Sequence, residues 1–476
     1  MSNTSQASQR INALLDPNSF VEIGAKVTAR ATDFNLKQTP TPSDGVLTGY
    51  GVIDGNLVYV YSQDASVLGG SVGEMHARKI TRLYELAMKT GAPVIGLIDS
   101  AGLRLQEATD ALNGFGEIYR SQALASGVIP QITAVFGNCG GGLALIPGMT
   151  DFTFMEKNSA KLFVNSPNAI AGNSTEKCDT SSAAFQSSES GLVDFVGTEG
   201  EILSGIRELI CMLPGNNEDN DSYEECTDDL NRTNPELASC TGDTALALSI
   251  LADNGCFVEV KSAYAKDMVT GFLRLNGDTV GAVANRSEVY DEEGKVSESF
   301  DASLSAAGCE KAADFVNFCD AFGIPVVTLT NVKGYAACEN SEKRIAKAAA
   351  RLTAAFVNAT VPKVNVICGK AFGSAYNVMN SKALGADITY AWPTAQIGMM
   401  DAKLAARIMC DGQDAAAQDA CAAEYEKLQT SAESAAQRGY VDQIIEAADT
   451  RKYVIGALEM LFTKREDRPA KKHGTV

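Results

Sequence analysis

The sequence predicts an α/β protein built from two tandem copies of one unit, and three observations predict it. Related segments recur at one fixed spacing, strand-like and helix-like runs alternate inside each segment, and both copies close on a glycine turn that follows a buried apolar run. The segment Thr90-Gly91-Ala92-Pro93-Val94-Ile95-Gly96-Leu97 lies 232 positions before Phe322-Gly323-Ile324-Pro325-Val326-Val327-Thr328-Leu329. At the same spacing Gly102 meets Gly334, Ile129-Pro130 meets Val361-Pro362, Gly137 meets Gly369, and Gly141-Gly142 meets Gly373-Ser374. After a slip of four, Asp151-Phe152-Thr153-Phe154 matches Asp387-Ile388-Thr389-Tyr390. A register held over roughly fifty residues marks an internal duplication rather than a chance alignment of glycines and prolines.

In chain order, a polar tail leads into Arg10-Ile11-Asn12-Ala13-Leu14-Leu15, a short amphipathic helix stopped by Asp16-Pro17. Strands are expected at Val46–Gly51, Leu57–Ser62 and Val94–Ile98, the first two joined through Asp54-Gly55-Asn56, a hairpin signal. A helix from about Met75 to Lys89 places Leu83, Leu86 and Ala87 on one face. The hairpin recurs at Phe257–Val260, Gly271–Asn276 and Val280–Asn285, with Asn276-Gly277-Asp278 as its turn. Each copy then runs helix, Gly-x-Pro-Val strand, loop, helix, x-Pro strand, glycine turn, helix, strand. That alternation implies buried parallel strands covered by helices. Leu213 through Asp243 is polar, acidic and carries two prolines, so it is expected to link domains at 1–235 and 236–476.

Gly137-Asn138-Cys139-Gly140-Gly141-Gly142 leaves a bare backbone between an apolar strand and Leu143-Ala144-Leu145-Ile146. Such a stretch is either a tight turn needing positive φ or a place where N–H groups meet an anion. Its repetition favours two oxyanion sites, with Gly141 and Gly142 donating in the first half and Ser374 and Ala375 in the second. Asp99-Ser100-Ala101-Gly102-Leu103-Arg104 ends a strand. It reads equally as a phosphate site through Arg104 or as a helix cap with a solvated arginine. His76, between Glu74 and Arg78, is expected on a helix surface.

A chain of 476 residues calls for at least two domains, since single cores rarely grow past roughly 250–300 residues. A hydrophobic share of 45% and a charged share of 21% are those of a globular protein. No apolar run approaches the roughly 18 residues of a membrane span. No basic-then-apolar leader is visible either, so a cytoplasmic location is expected. Twelve scattered cysteines without Cys-x-x-Cys, and only two histidines, suit buried thiols and no metal site. A net charge of −19 disfavours nucleic acid. Only His76 lies within the expected folded body and there is no Walker A loop, which disfavours the Ser-His-Asp hydrolase and ATP-cleaving designs. Met88-Lys89 lies inside a predicted helix and is rejected as a biotin-attachment site.

Longer motifs then become informative. Thr48-Gly49-Tyr50-Gly51 with Tyr61-Ser62-Gln63-Asp64, Leu68-Gly69-Gly70-Ser71-Val72-Gly73-Glu74, and Ala125-Ser126-Gly127-Val128-Ile129-Pro130-Gln131-Ile132 resemble the carboxyltransferase subunits of biotin-dependent acyl-CoA carboxylases and decarboxylases. So do Tyr264-Ala265-Lys266, Cys319-Asp320-Ala321-Phe322, Tyr390-Ala391-Trp392-Pro393-Thr394-Ala395 and Lys471-Lys472-His473-Gly474. The resemblance covers nearly the whole chain. It implies two tandem crotonase-like (ClpP/crotonase superfamily) β-β-α superhelical domains and a homo-hexamer built as a trimer of dimers. Acyl-CoA is implied on the first half, with Gly141 and Gly142 as catalytic donors to its thioester oxygen and Gly69, Gly70, Arg104 and Gly140 around the substrate. Biotin on a separate biotin carboxyl carrier protein is implied on the second half, with Ser374 and Ala375 facing its ureido oxygen and Gly373 and Asn377 nearby. The remaining partners are a biotin carboxylase subunit or the membrane subunits of a sodium-pumping decarboxylase.

The chain departs from the family pattern at several places. Asn138-Cys139-Gly140-Gly141-Gly142 stands for Pro-Cys-Ala-Gly-Gly, and Gly373-Ser374-Ala375-Tyr376-Asn377 for Gly-Gly-Ala-Tyr-Asp. Asn377 replaces an aspartate where the family tunes acyl-chain choice. Asp179–Gly191 lacks the family's Gly-Gly-Ala and histidine, and Val332-Lys333-Gly334-Tyr335 replaces its Pro-Gly-Phe loop. Two rivals stand beside the carboxyltransferase reading. One is a biotin-independent crotonase-type enzyme using Glu107 or Glu117, and the other is a non-catalytic assembly subunit.

Overall fold

The computed structural model describes residues 5–32, 34, 40–219, 222–291 and 293–476. The chain divides into two compact units, Met1–Ser222 and Tyr223–Val476. The division comes earlier than the expected 235/236 because the acidic stretch is already tied into the second unit. There Glu224 N donates to Gly277 O at 3.0 Å and Asn234 N to Ala448 O at 2.9 Å.

The first unit is an eight-stranded sheet. Val21–Glu22, Val46–Ile53 and Asn56–Gln63 run antiparallel, and Val94–Ser100, Gln131–Gly140, Phe152–Glu156 and Phe195–Gly197 extend it in parallel. Lys161–Phe163 pairs with the far end of Gln131–Gly140. The second unit repeats the order with Phe257–Val260, Met268–Leu275, Asp278–Asn285, Val326–Val332, Lys363–Phe372, Ile388–Ala391 and Gln443–Ile444, and with Gln396–Gly398 in the side position. Both hairpins close through two residues of positive φ, Asp54-Gly55 (47° and 90°) and Asn276-Gly277 (56° and 85°). Two such residues match a turn to the twist of its strands.

The duplication reaches individual bonds. Val94 pairs with Gln131 and Val326 with Lys363, and each ladder shifts register just before Ser100 and Val332. Asp151 Oδ2 accepts from Gln131 N as Asp387 Oδ2 accepts from Lys363 N, both at 2.8 Å. Asp194 and Asp442 take the N–H groups of Thr153 and Thr389 in the same way.

Helix Glu74–Thr90 buries Ala77, Ile80, Leu83, Tyr84 and Ala87, and the expected Leu86 packs at the edge of the same core. His76 also faces inward and is fully buried, which corrects the expected surface position. Its ring bonds Gln63 through Nε2 at 3.2 Å and the Asp44 carbonyl through Nδ1 at 2.9 Å. Burial holds its pKa down at about 3. A second correction concerns the thiols. Cys139, Cys240, Cys309, Cys319 and Cys368 are buried and unpaired as expected, but Cys410 and Cys421 are joined by a disulfide. Helices Ala402–Met409 and Ala415–Tyr425 bring these two together, and no sequence spacing signals it. Among the described residues no helix is long and apolar enough to cross a membrane.

Candidate functional site

Two turns stand where an inner strand of each sheet ends. In the first unit Gln131–Gly140 is followed by Gly141 in the left-handed region, at φ 64°, then by a 3₁₀ turn Gly141–Ala144 and the short helix Leu145–Gly148. In the second unit Lys363–Phe372 is followed by Gly373 at φ 63° and the helix Gly373–Val378. Only glycine adopts that conformation at no steric cost, so one backbone bend is specified twice. The first N–H groups of a helical turn have no partner inside it. By that rule the N–H groups of Gly141 and Gly142 at the first bend, and of Ser374 and Ala375 at the second, have no partner within their own turns.

What lifts each strand end away from its neighbour is also duplicated. A Cβ at Gly137 would fall on the Asp99 carboxylate, and one at Gly369 would lie 2.5 Å from Asn331 Oδ1. These polar side chains sit at the register shift and occupy the gap it opens. Asp99 is held by Arg10 at 3.2 Å, whose guanidinium also lies 4.5 Å over the Phe136 ring. Asn331 Oδ1 accepts from Lys370 N at 3.0 Å.

The surroundings of the two turns differ. Gly142 and its neighbour Gly141 face open space, apart from the Tyr119 hydroxyl, which donates to Gly142 O at 2.5 Å. Gly140 is pressed against the Phe163 ring. The second turn opens into a cavity of about 1110 Å³. Gly373, Ser374 and Asn377 line it together with the charged Lys382, Glu424 and Arg438 and the apolar Met399, Met409 and Leu428.

Arg104 is not placed as the sequence suggested. It is buried, 2% exposed, and reaches no open surface. Its Nη1 pairs with Asp44 Oδ1 at 2.6 Å and Glu107 Oε1 at 2.8 Å, and its Nη2 donates to Ser71 O at 2.7 Å. A guanidinium with those acceptors cannot also hold a phosphate. Glu107, offered as a base by the rival reading, is 3% exposed, and its Oε2 accepts from Glu74 N at 2.6 Å. Glu117 lies exposed on helix Ala108–Ala125 with Asn113 Nδ2 at 3.0 Å. Gly69 and Gly70 lie in a loop with φ values of 65° and 63°, against the end of the strand that carries Asp99. Sequence reasoning missed Asp44 and Ser71 as partners of Arg104, because nothing in their spacing links them. Among the described residues no group of three or more His, Cys, Asp or Glu could hold a metal ion.

The fold and these turns define a class: a duplicated crotonase-like α/β protein with a matched glycine bend at the end of an inner strand of each sheet. The chain belongs to the carboxyl transferase domain family, which matches residues 3–476. It is 40% identical over 482 residues to the methylmalonyl-CoA decarboxylase subunit alpha of Veillonella parvula, covering 99% of this chain and 92% of that one. It is also 40% identical over 492 residues to the propionyl-CoA carboxylase beta chain of Roseobacter denitrificans, covering 99% and 93%. The transcarboxylase 12S structure, a hexamer solved with methylmalonyl-CoA and methylmalonic acid bound, superposes with a TM-score of 0.91 at 37% identity over 98% of this chain and 92% of that one. The chain is an acyl-CoA carboxyltransferase, as its motifs indicated.

Proposed function

We propose that this enzyme moves a carboxyl group between carrier-bound biotin and a short acyl-CoA of the propionyl/methylmalonyl or acetyl/malonyl type. The observation that carries the reading is the pair of matched bends at Gly141 and Gly373, each presenting backbone donors where a negative oxygen can be held. Gly141 and Gly142 would hold the thioester oxygen as it becomes an enolate. Ser374 and Ala375 would hold the ureido oxygen of biotin, and the cavity beside them, about 1110 Å³ with polar and apolar lining, leaves room for its bicyclic ring. Bound biotin supplies the ureido nitrogen that carries the carboxyl group. Paired donors in a water-poor site stabilise developing negative charge by several kcal/mol, about 2.7–4 for each. Asn377, in the lining of that cavity, is proposed to set acyl-chain choice.

The enzyme would act as a homo-hexamer, a trimer of dimers, served by a biotin carboxyl carrier protein. Its direction would be set by its other partner, a biotin carboxylase subunit or membrane decarboxylase subunits. Biotin-dependent decarboxylation of methylmalonyl-CoA or malonyl-CoA, assayed with free biotin, tests the reading. Turnover with none of these dicarboxylic acyl-CoA esters would sink it. The rival that uses Glu107 as a base is disfavoured by the bonds that residue already makes.

A further inference from the structure

The two halves begin equivalent helices in different ways. In the second half Ser305 precedes helix Ala306–Ala321, and its Oγ accepts from Gly308 N at 2.9 Å, an ordinary serine cap. The first half has Gly73 at that position, with no side chain to cap helix Glu74–Thr90. Two remote carboxylates replace the serine: Glu107 takes Glu74 N at 2.6 Å and Asp44 takes His76 N at 2.8 Å. Arg104 bridges both carboxylates and also ties the Ser71 carbonyl. A Cβ at Gly73 would lie 2.5 Å from Arg104 Nη1 and 2.6 Å from Glu107 Oε1, so a serine cap and this ion cluster exclude one another.

The backbone junction itself does not need the cluster. Val72 N donates to Gly102 O at 2.8 Å and Arg104 N to Val72 O at 2.9 Å. In the second half Leu304 N donates to Gly334 O and Ala336 N to Leu304 O, both at 2.9 Å, with alanine standing where the first half has Arg104. The same junction therefore forms without an arginine. What the first half adds is a three-way tie between residues 43–45, the glycine loop 68–73 and the strand end 99–107. That strand end in turn packs on the first turn, since Ser100 pairs with Cys139 and a Cβ at Gly102 would lie 3.5 Å from Gly140 O.

We infer that Arg104 is a positioning residue specific to the acyl-CoA half, holding the Gly69-Gly70 loop at a fixed distance from the Gly141 turn through Asp44, Glu107 and Ser71. The inference rests on the reading that acyl-CoA binds the first half. Lysine cannot span the same acceptors, because it lacks the planar fork of donors. Arg104→Lys is therefore expected to raise both the acyl-CoA KM and its calorimetric Kd at least about tenfold, since small displacements of positioning groups cost that much or more. The KM for free biotin should stay within roughly twofold, the scale expected where no positioning group moves.

Arg451→Lys serves as the comparison. Arg451 is an equally buried arginine, paired with Asp253 and Asp228 in the second half, and its replacement should lower the melting temperature without moving acyl-CoA affinity. If Arg104→Lys does not fold, Arg104→Met combined with Asp44→Asn and Glu107→Gln removes the tie without leaving a buried charge unpaired. Its acyl-CoA affinity should fall in the same way. Unchanged acyl-CoA affinity in a folded variant, or equal movement of both KM values, overturns the inference. A wild-type enzyme that binds acyl-CoA, shows the expected loss on substitution, yet never turns over with biotin, overturns the proposed function and leaves the positioning role standing. A wild-type enzyme that binds no acyl-CoA overturns both.

Discussion

At Gly141 an added Cβ would meet nothing within 4 Å, whereas at Gly373, in the same left-handed conformation, it would lie 3.4 Å from the Met399 carbonyl. The first turn is open and has a charged cluster behind it. The second lines a cavity with both apolar and charged walls, and its half has a serine-capped helix at the equivalent position. Backbone features are shared almost bond for bond: the ladder registers, the shifts before Ser100 and Val332, and the aspartates at 151 and 387. Duplication has kept what bends the chain and let the surroundings diverge. This is what the proposed binding of two different ligands on one backbone scheme would require.

The comparison can be tested at four points. Arg104→Met should have the largest effect, leaving Asp44 and Glu107 buried without their partner. A loss of about 3–5 kcal/mol is expected from chemical denaturation, as for other broken buried pairs. At the equivalent position Ala336→Met breaks no pair and should cost far less. Next, proline can remove a single N–H from each turn. Gly142→Pro and Ser374→Pro should each lower kcat by about 10²–10³-fold, the effect of losing one oxyanion donor. Equal activity with and without either donor would show that the turns are bends only.

The third point lies one step back along each strand. Gly137→Ala drives a methyl group into the Asp99 carboxylate, which Arg10 holds in place, and should cost about 1–3 kcal/mol. Gly369→Ala meets the neutral Asn331 at 2.5 Å and should cost less, and thermal melts of both variants would rank them. The smallest effect concerns a duplicated lysine. Lys79 Nζ donates to Ser43 O and Val46 O, as Lys311 Nζ donates to Lys261 O and Tyr264 O, and burial lowers their pKa values to about 8 and about 7. Between about 7 and 10.5 the unfolded chain holds a proton that folded Lys311 has released, so stability rises with pH across that window. Lys311→Met should flatten this rise more than Lys79→Met, whose window starts higher, as read from denaturation midpoints along a pH series.

Much of the architecture was legible because it is local or periodic. The hairpin turns at Asp54-Gly55 and Asn276-Gly277, the Gly-x-Pro-Val strands and the helix ending near Lys89 all follow from short-range backbone preferences, and the structure places them within a few residues of expectation. The two glycine turns were found through their spacing, since the less glycine-rich second one carries little signal alone. The boundary at 222/223 was displaced because an acidic stretch looks like a linker until Glu224 and Asn234 find backbone partners far along the chain. His76 and Arg104 were misplaced for the same reason. Polar residues read as exposed unless their buried partners can be seen, and those of Arg104 include Asp44, sixty positions away.

The sequence alone determined the duplication, the chain order of strand and helix runs within each copy, the two glycine turns, and the family. Those depend on backbone conformations that particular residue types permit, and on motifs long enough to be specific. Only the tertiary structure decided that Arg104 is an internal tie rather than a ligand, that His76 is enclosed, that Cys410 meets Cys421, and that one turn opens into a cavity while the other stands clear. Each of those is set by which side chains from separate elements occupy the same space, and that is fixed when the elements pack.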